Sequence, residues 1–173
     1  MFDRVEIRVK AGDGGDGVVS FRREKFVPFG GPDGGDGGDG GDVVIMADSS
    51  VTSLRMFKHK RLYRAAAGKD GKGQRKHGKK GESLILKVPV GTVVLSKTRI
   101  GDNTLIADLE QPGQWAVAAK GGKGGWGNTH FTSSTNQASQ IALRGEAGEE
   151  DSIILELRLI ADVGIIGYPN VGK

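Results

Sequence analysis

The chain has 173 residues, 30 of them glycine, no cysteine and a formal net charge of +4. That length accommodates one domain, or one domain and a fragment, and the lack of cysteine removes disulfides, cysteine-ligated zinc and thiol chemistry, as suits a cytoplasmic protein. No run approaches the roughly eighteen apolar residues of a membrane-spanning helix, and the N-terminal MFDRVEIRVK lacks the apolar centre of a signal peptide, so a soluble protein is expected.

Val5, Ile7 and Val9 alternate with Glu6, Arg8 and Lys10, the period-2 signature of a strand with one buried face. A first glycine segment, GDGGDG at 12–17, leads into residues 18–21, which read as a second strand. Arg22, Arg23 and Lys25 then place three cations ahead of Pro28 and the long repeat. Residues 43–46 resume apolar character and read as a strand. Residues 53–63 fit either a short helical turn or an irregular strand. Between Arg55 and Lys80 stand eleven Lys or Arg against one acid, Asp70, so the basicity is local and points to an anionic partner. Leu84, Leu86 and Val88 alternate, and residues 93–95, 105–109 and 115–119 continue a run of short strands, with Trp115 assigned to the core. Residues 131–140 read as an exposed polar loop and 153–159 as the last strand of this domain or the link to the next. The expected fold is mainly β, a small barrel or sandwich base carrying glycine-rich projections.

The least ordinary stretch is residues 31–42, GPDGGDGGDGGD. Its period of three matches neither helix nor strand but fits the left-handed polyproline II conformation. In that register Gly31, Gly34, Gly37 and Gly40 form one face, Gly35, Gly38 and Gly41 a second, and Asp33, Asp36, Asp39 and Asp42 the third. Two bare faces let two neighbours approach at backbone distance. Segments 12–17, 68–81 and 121–127, with Gly145 and Gly148, are the candidate neighbours, and the competing reading is a flexible linker. The aspartates are expected to accept hydrogen bonds from glycine N–H groups, because polyproline II has no internal ones. Calcium is disfavoured: successive aspartates on one such face are about 9 Å apart, whereas calcium needs oxygens within about 2.6 Å.

The C-terminal stretch runs from an apolar strand at 163–166 into Gly167, Tyr168, Pro169, Asn170, Val171, Gly172 and Lys173, a GxxxxGK pattern. These are seven of the eight positions of a phosphate-binding loop, in which backbone N–H groups surround phosphate oxygens and the lysine reaches the terminal phosphates. The expected division is a glycine-rich domain at 1–158 and the start of a P-loop domain at 159–173, with the chain a piece of a longer protein that does not by itself hydrolyse a nucleotide. Within residues 1–160 no constellation of side chains calls for catalysis, and His59, His77 and His130 read as surface residues.

Taken together, FRREKFVPFGGPDGGDGGDGGDV, GKDGKGQRKHGKKGE followed by VPVGT, KGGKGGWGNTHF, and LRLIADVGIIGYPNVGK resemble the Obg family of bacterial GTPases. The resemblance implies an N-terminal domain of polyproline II helices on a small β-barrel joined to a Ras-like GTPase domain. It further implies binding of GTP and GDP with Mg²⁺, association with the large ribosomal subunit, and a part in its assembly and in stress responses. Only Gly167 to Lys173 fall on nucleotide-contacting positions. Asp39 stands where the resemblance implies a basic residue in many relatives.

Contact with ribosomal RNA would use Arg22, Arg23 and Lys25 beside the first projection, Lys69, Lys72, Arg75, Lys76, Lys79 and Lys80 on the second, and Lys123 and His130 near the third. Trp126 and Phe131 are candidates for stacking on bases. The alternative is a structural domain that positions its GTPase partner and touches no RNA.

Overall fold

The computed structural model describes residues 4–28, 30–97 and 100–158. Strand β1 (Arg4–Lys10) forms where the alternation places it, with Ile7 and Val9 fully buried. There follow β2 (Val43–Ala47), a one-turn helix α1 (Met56–His59), β3 (Leu62–Arg64), β4 (Leu84–Val88), β5 (Thr92–Ser96), β6 (Thr104–Leu109), β7 (Trp115–Ala119), a 3-10 turn at Asn128–Phe131 and β8 (Glu150–Leu157). The strands make two mixed sheets, one ordered β3-β1-β8-β5-β6 and the other β4-β2-β7. Their inner faces share one core: Ile7, Val9, Ile153 and Leu155 from the larger sheet pack with Val43, Ile45, Leu86 and Val88 of the smaller, and Leu54 and Phe57 join them. The fold is mainly β, as expected, and its base is a sandwich.

Three local readings change. Residues 18–21 form no strand; they run beside residues 31–35, with Val18 N–H donating to Gly35 O and Asp33 N–H to Ser20 O, and so extend the glycine-rich assembly. The ambiguous stretch at 53–63 divides between α1, which buries Phe57, and the start of β3. Trp115 is 62 % exposed rather than in the core. The reason is a β-bulge: β7 pairs Trp115 with Met46, Ala116 with Ile45 and Val117 with Val44, then skips a residue so that Ala119 meets Val43. The extra residue flips the alternation, so Ala119 faces the core with Val43 while Trp115 looks outward with Met46.

Six strands of the base continue into glycine-rich segments, which form three hairpin-like excursions: 11–42 from β1 to β2, 65–83 from β3 to β4, and 120–149 from β7 to β8. Pairing in the sheets carries on into them. Lys10 opposite Glu150 is followed by Ala11 N–H to Glu149 O and Gly14 N–H to Glu146 O, and Val43 opposite Ala119 by Gly40 N–H to Gly122 O. Register is set by apolar alternation in the base and transmitted to a bundle whose glycine-rich segments meet through their backbones.

Candidate nucleic-acid interface

Residues 33–42 lie at the centre of the bundle, and their two bare faces meet different neighbours. A methyl carbon at Gly34, Gly37 or Gly40 would overlap the carbonyl of Val18, Gly15 or Gly12; one at Gly35, Gly38 or Gly41 would overlap that of Lys76, Lys79 or Glu82. None of these glycines has positive φ, so what each position requires is the missing Cβ, not unusual backbone torsion. Gly31 departs from the expectation: nothing lies within 4 Å of the site its Cβ would take. Its carbonyl accepts from Arg22 N–H at 3.0 Å, so it pairs through the backbone without needing the missing Cβ.

Backbone bonds recur every third residue. Gly12 and Gly15 N–H donate to Gly41 and Gly38 O, Gly38 and Gly41 N–H to Lys69 and Ala66 O, Gly37 and Gly40 N–H to Gly125 and Gly122 O, and Gly78 and Gly81 N–H to Asp36 and Asp39 O. Such a spacing is that of polyproline II helices side by side, and the bundle reading replaces the linker reading. The third face supplies the remaining acceptors. Asp36, Asp39 and Asp42 carboxylates take the N–H of Gly127, Gly124 and Gly121 at 2.7, 2.9 and 2.7 Å, and Asp13 and Asp16 take those of Gly148 and Gly145 at 2.8 Å. Asp39 therefore has a structural task of its own.

One residue that pattern reading missed is Asn128, fully buried where the 3-10 turn begins. Its Oδ1 accepts from Gly34 N–H at 2.9 Å, and its Nδ2 donates to Ser20 O and Ser139 O at 3.0 and 3.1 Å. A lone asparagine after a glycine run carries no periodic signal. Also unmarked in sequence was the convergence of His77 and His130 on Asp36. His130 Nε2 lies 2.8 Å and His77 Nδ1 3.6 Å from Asp36 Oδ2, and the His130 ring stacks on Trp126 at 5.0 Å. Partial burial raises the Asp36 carboxyl, but the Gly127 N–H, the His130 hydrogen bond and the nearby histidine charges outweigh it and hold the group below the usual carboxylate range.

The expected cation sites fall in two groups. Arg22, Arg23, Lys72, Arg75 and Lys76 line one cleft of about 1230 Å³ at the end of the bundle farthest along the chain from the strands, together with Glu24 and Asp33. Lys25 lies on the adjoining turn with its Nζ 5.6 Å from the centre of the Phe26 ring. Lys69, Lys79, Lys80 and Lys123 are exposed on the bundle's flanks, outside that cleft. His130 is engaged by Asp36 and Trp126, Trp126 is half exposed, and the Phe131 ring lies 6.3 Å from that of Trp126.

The partners of the charges differ between the two ends. On the sandwich, five cations are paired: Arg4 with Glu156, Arg8 with Glu150, Lys87 with Asp48, Lys97 with Glu6 and Arg158 with Asp108, at 2.9 to 3.3 Å. On the bundle the aspartates face backbone N–H groups. Among the described residues only Arg22 in the cleft has a carboxylate partner, Glu24 at 2.7 Å. Five cations against two carboxylates make a concentrated positive field on a rigid support, which attracts polyanions over a Debye length of about 10 Å. Gly167 to Lys173 lie outside the described residues, and among the described residues no helix is long and apolar enough to cross a membrane.

The family model described as GTP1/OBG matches residues 2–159. The chain is 61% identical over 173 residues to a GTPase Obg of Dehalococcoides mccartyi, covering 41% of that protein. It is 60% identical to the GTPase Obg of Sulfurihydrogenibium sp., covering 49%, and 56% identical to that of Fervidobacterium nodosum, covering 39%. In each case all of this chain is matched, and it spans half or less of the length of these curated relatives.

Proposed function

The chain belongs to the GTP1/OBG family, and on that premise we propose that residues 1–158 form a domain that docks on ribosomal RNA of the large subunit. Residues 159–173 begin a P-loop GTPase domain, in which Gly167 to Lys173 hold the phosphates of GTP or GDP with Mg²⁺ in the full-length protein. Hydrolysis of GTP by that protein, in the cytoplasm, ties docking to subunit assembly and to growth and stress control.

The observation that carries the docking reading is the contrast in charge pairing. Arg4, Arg8, Lys87, Lys97 and Arg158 on the sandwich each pair with a carboxylate, while Arg23, Lys72, Arg75 and Lys76 share a cleft in which no carboxylate pairs with them. A rigid, cation-tipped projection suits RNA, which is read largely by shape and phosphate contact. Binding of large-subunit RNA across about 50–200 mM salt tests the reading. Exchanging Arg23, Lys72, Arg75 and Lys76 for glutamine is expected to lower affinity and to flatten the slope by roughly 3 to 4 in log–log units. An unchanged slope would favour a domain that positions its GTPase partner without touching RNA.

A further inference from the structure

Two turns flank the distal cleft, and both hold bulky residues in left-handed backbone. In the turn at 24–27, Val27 N–H donates to Glu24 O at 3.0 Å and Phe26 has φ 81°. That is the third position of a turn, where positive φ ordinarily calls for glycine; for an aromatic residue it is a true outlier. Phe26 is nonetheless 91 % exposed. In the second turn, Gln74 and Arg75 have φ 62° and 56°. Asp33 holds them there: its Oδ2 accepts from Gln74 N–H at 3.1 Å and its carbonyl from Arg75 N–H at 2.7 Å, while its Oδ1 is buried.

Strained backbone that persists without covering any apolar group points to function. Here it presents on one turn the exposed Phe26 ring, with Lys25 Nζ 5.6 Å from its centre, and on the other the Arg75 guanidinium, beside a cleft whose remaining cations are Arg22, Arg23, Lys72 and Lys76. Paired bases are stacked inside a duplex and out of reach of such a ring, whereas an unpaired base offers its π-face to an aromatic side chain. Phosphates on either side of that base would meet the cations.

We propose that the distal end of the bundle binds a short unpaired RNA segment, with one base stacked on Phe26 and the adjoining phosphates held by Arg23, Lys72, Arg75 and Lys76. The inference rests on the docking reading and narrows its partner from RNA in general to a single-stranded element.

The test uses the 173-residue chain, a ten-nucleotide RNA carrying 2-aminopurine, and the same sequence annealed to its complement. The single strand binds more tightly and its 2-aminopurine emission is quenched. Phe26→Gly, which relieves the positive φ, lowers affinity about 10-fold while the melting temperature holds or rises. Phe26→Leu, which keeps apolar bulk without the π-face, loses as much. Arg75→Gln reduces the salt slope by about one. Equal affinity for strand and duplex, absence of quenching, no measurable binding of the strand, or an unaffected Phe26→Gly variant each overturns the inference. Pelleting of wild type and Phe26→Gly with large subunits separates the two levels. If wild type pellets with large subunits but shows no preference for the strand, docking stands and this inference falls; if it does not pellet, docking falls as well.

Discussion

Replacing Gly37 by alanine adds one methyl group at the centre of the bundle. That carbon would overlap the carbonyl of Gly15 and stand 2.9 Å from the amide nitrogen of Asp16. Both are backbone atoms, so no rotamer change makes room. The chain carrying Gly15 must retreat, and Gly15 N–H to Gly38 O and Gly125 N–H to Gly15 O, each 2.8 Å, lengthen or break. Overpacking a core costs roughly 1–3 kcal/mol, and a buried backbone group left without a partner roughly 1–3 kcal/mol. A loss of about 2–6 kcal/mol follows, a large part of the roughly 5–15 kcal/mol by which domains are stable. Gly31→Ala is the internal control: its Cβ meets open space and its φ is not positive, so it is expected to be neutral or to stabilise by up to about 1 kcal/mol. Guanidinium denaturation followed by tryptophan emission reads both, because Trp126 reports from the bundle and Trp115 from the sandwich. A Gly37→Ala variant within about 1 kcal/mol of wild type would refute close packing as the reason for these glycines.

Asn128→Ala removes an acceptor from Gly34 N–H and a donor from Ser20 and Ser139 carbonyls, and is expected to cost about 3 kcal/mol or more in the same denaturation assay. Asp36 is held below the ordinary carboxylate range when folded, so its contribution is present above pH about 4 and lost as pH falls below that. Asp36→Asn should flatten the acid limb of a melting-temperature profile, and an unchanged limb would contradict the clasp with Gly127 and His130. The Asp48 carboxyl is lowered to about 2 by the Ser50 hydroxyl and N–H and by Lys87. Its contribution fades between pH about 4 and about 2, and Ser50→Ala should raise its midpoint in a carbon-13 NMR titration.

Much of this architecture could be read from residue types because the repeat obeys one simple period. A glycine at every first and second position of three leaves two faces bare, and an acceptor at the third position answers the orphaned N–H groups, as Asp36, Asp39 and Asp42 do. Alternation likewise located β1 and β4, partial alternation β8, and resumed apolar character β2. What escaped was non-local. Trp115 lies in a clean strand pattern, yet the bulge that turns it outward depends on how Val43 and Val44 pair across the sheet. Asn128 works through three partners up to 108 residues away. The Phe26 turn has no glycine to announce its positive φ, and His77 and His130 meet only because the second and third excursions pack on either side of Asp36.

The most direct measurement is co-sedimentation of the chain with purified large and small ribosomal subunits, without nucleotide, across a salt series from about 50 to 200 mM. Selective binding to the large subunit that persists at the upper end is the expected result, and means docking by a rigid shape independent of any GTPase domain. Equal, salt-labile binding to both subunits, or binding to neither, would contradict the account and leave the bundle as a scaffold for the GTPase domain.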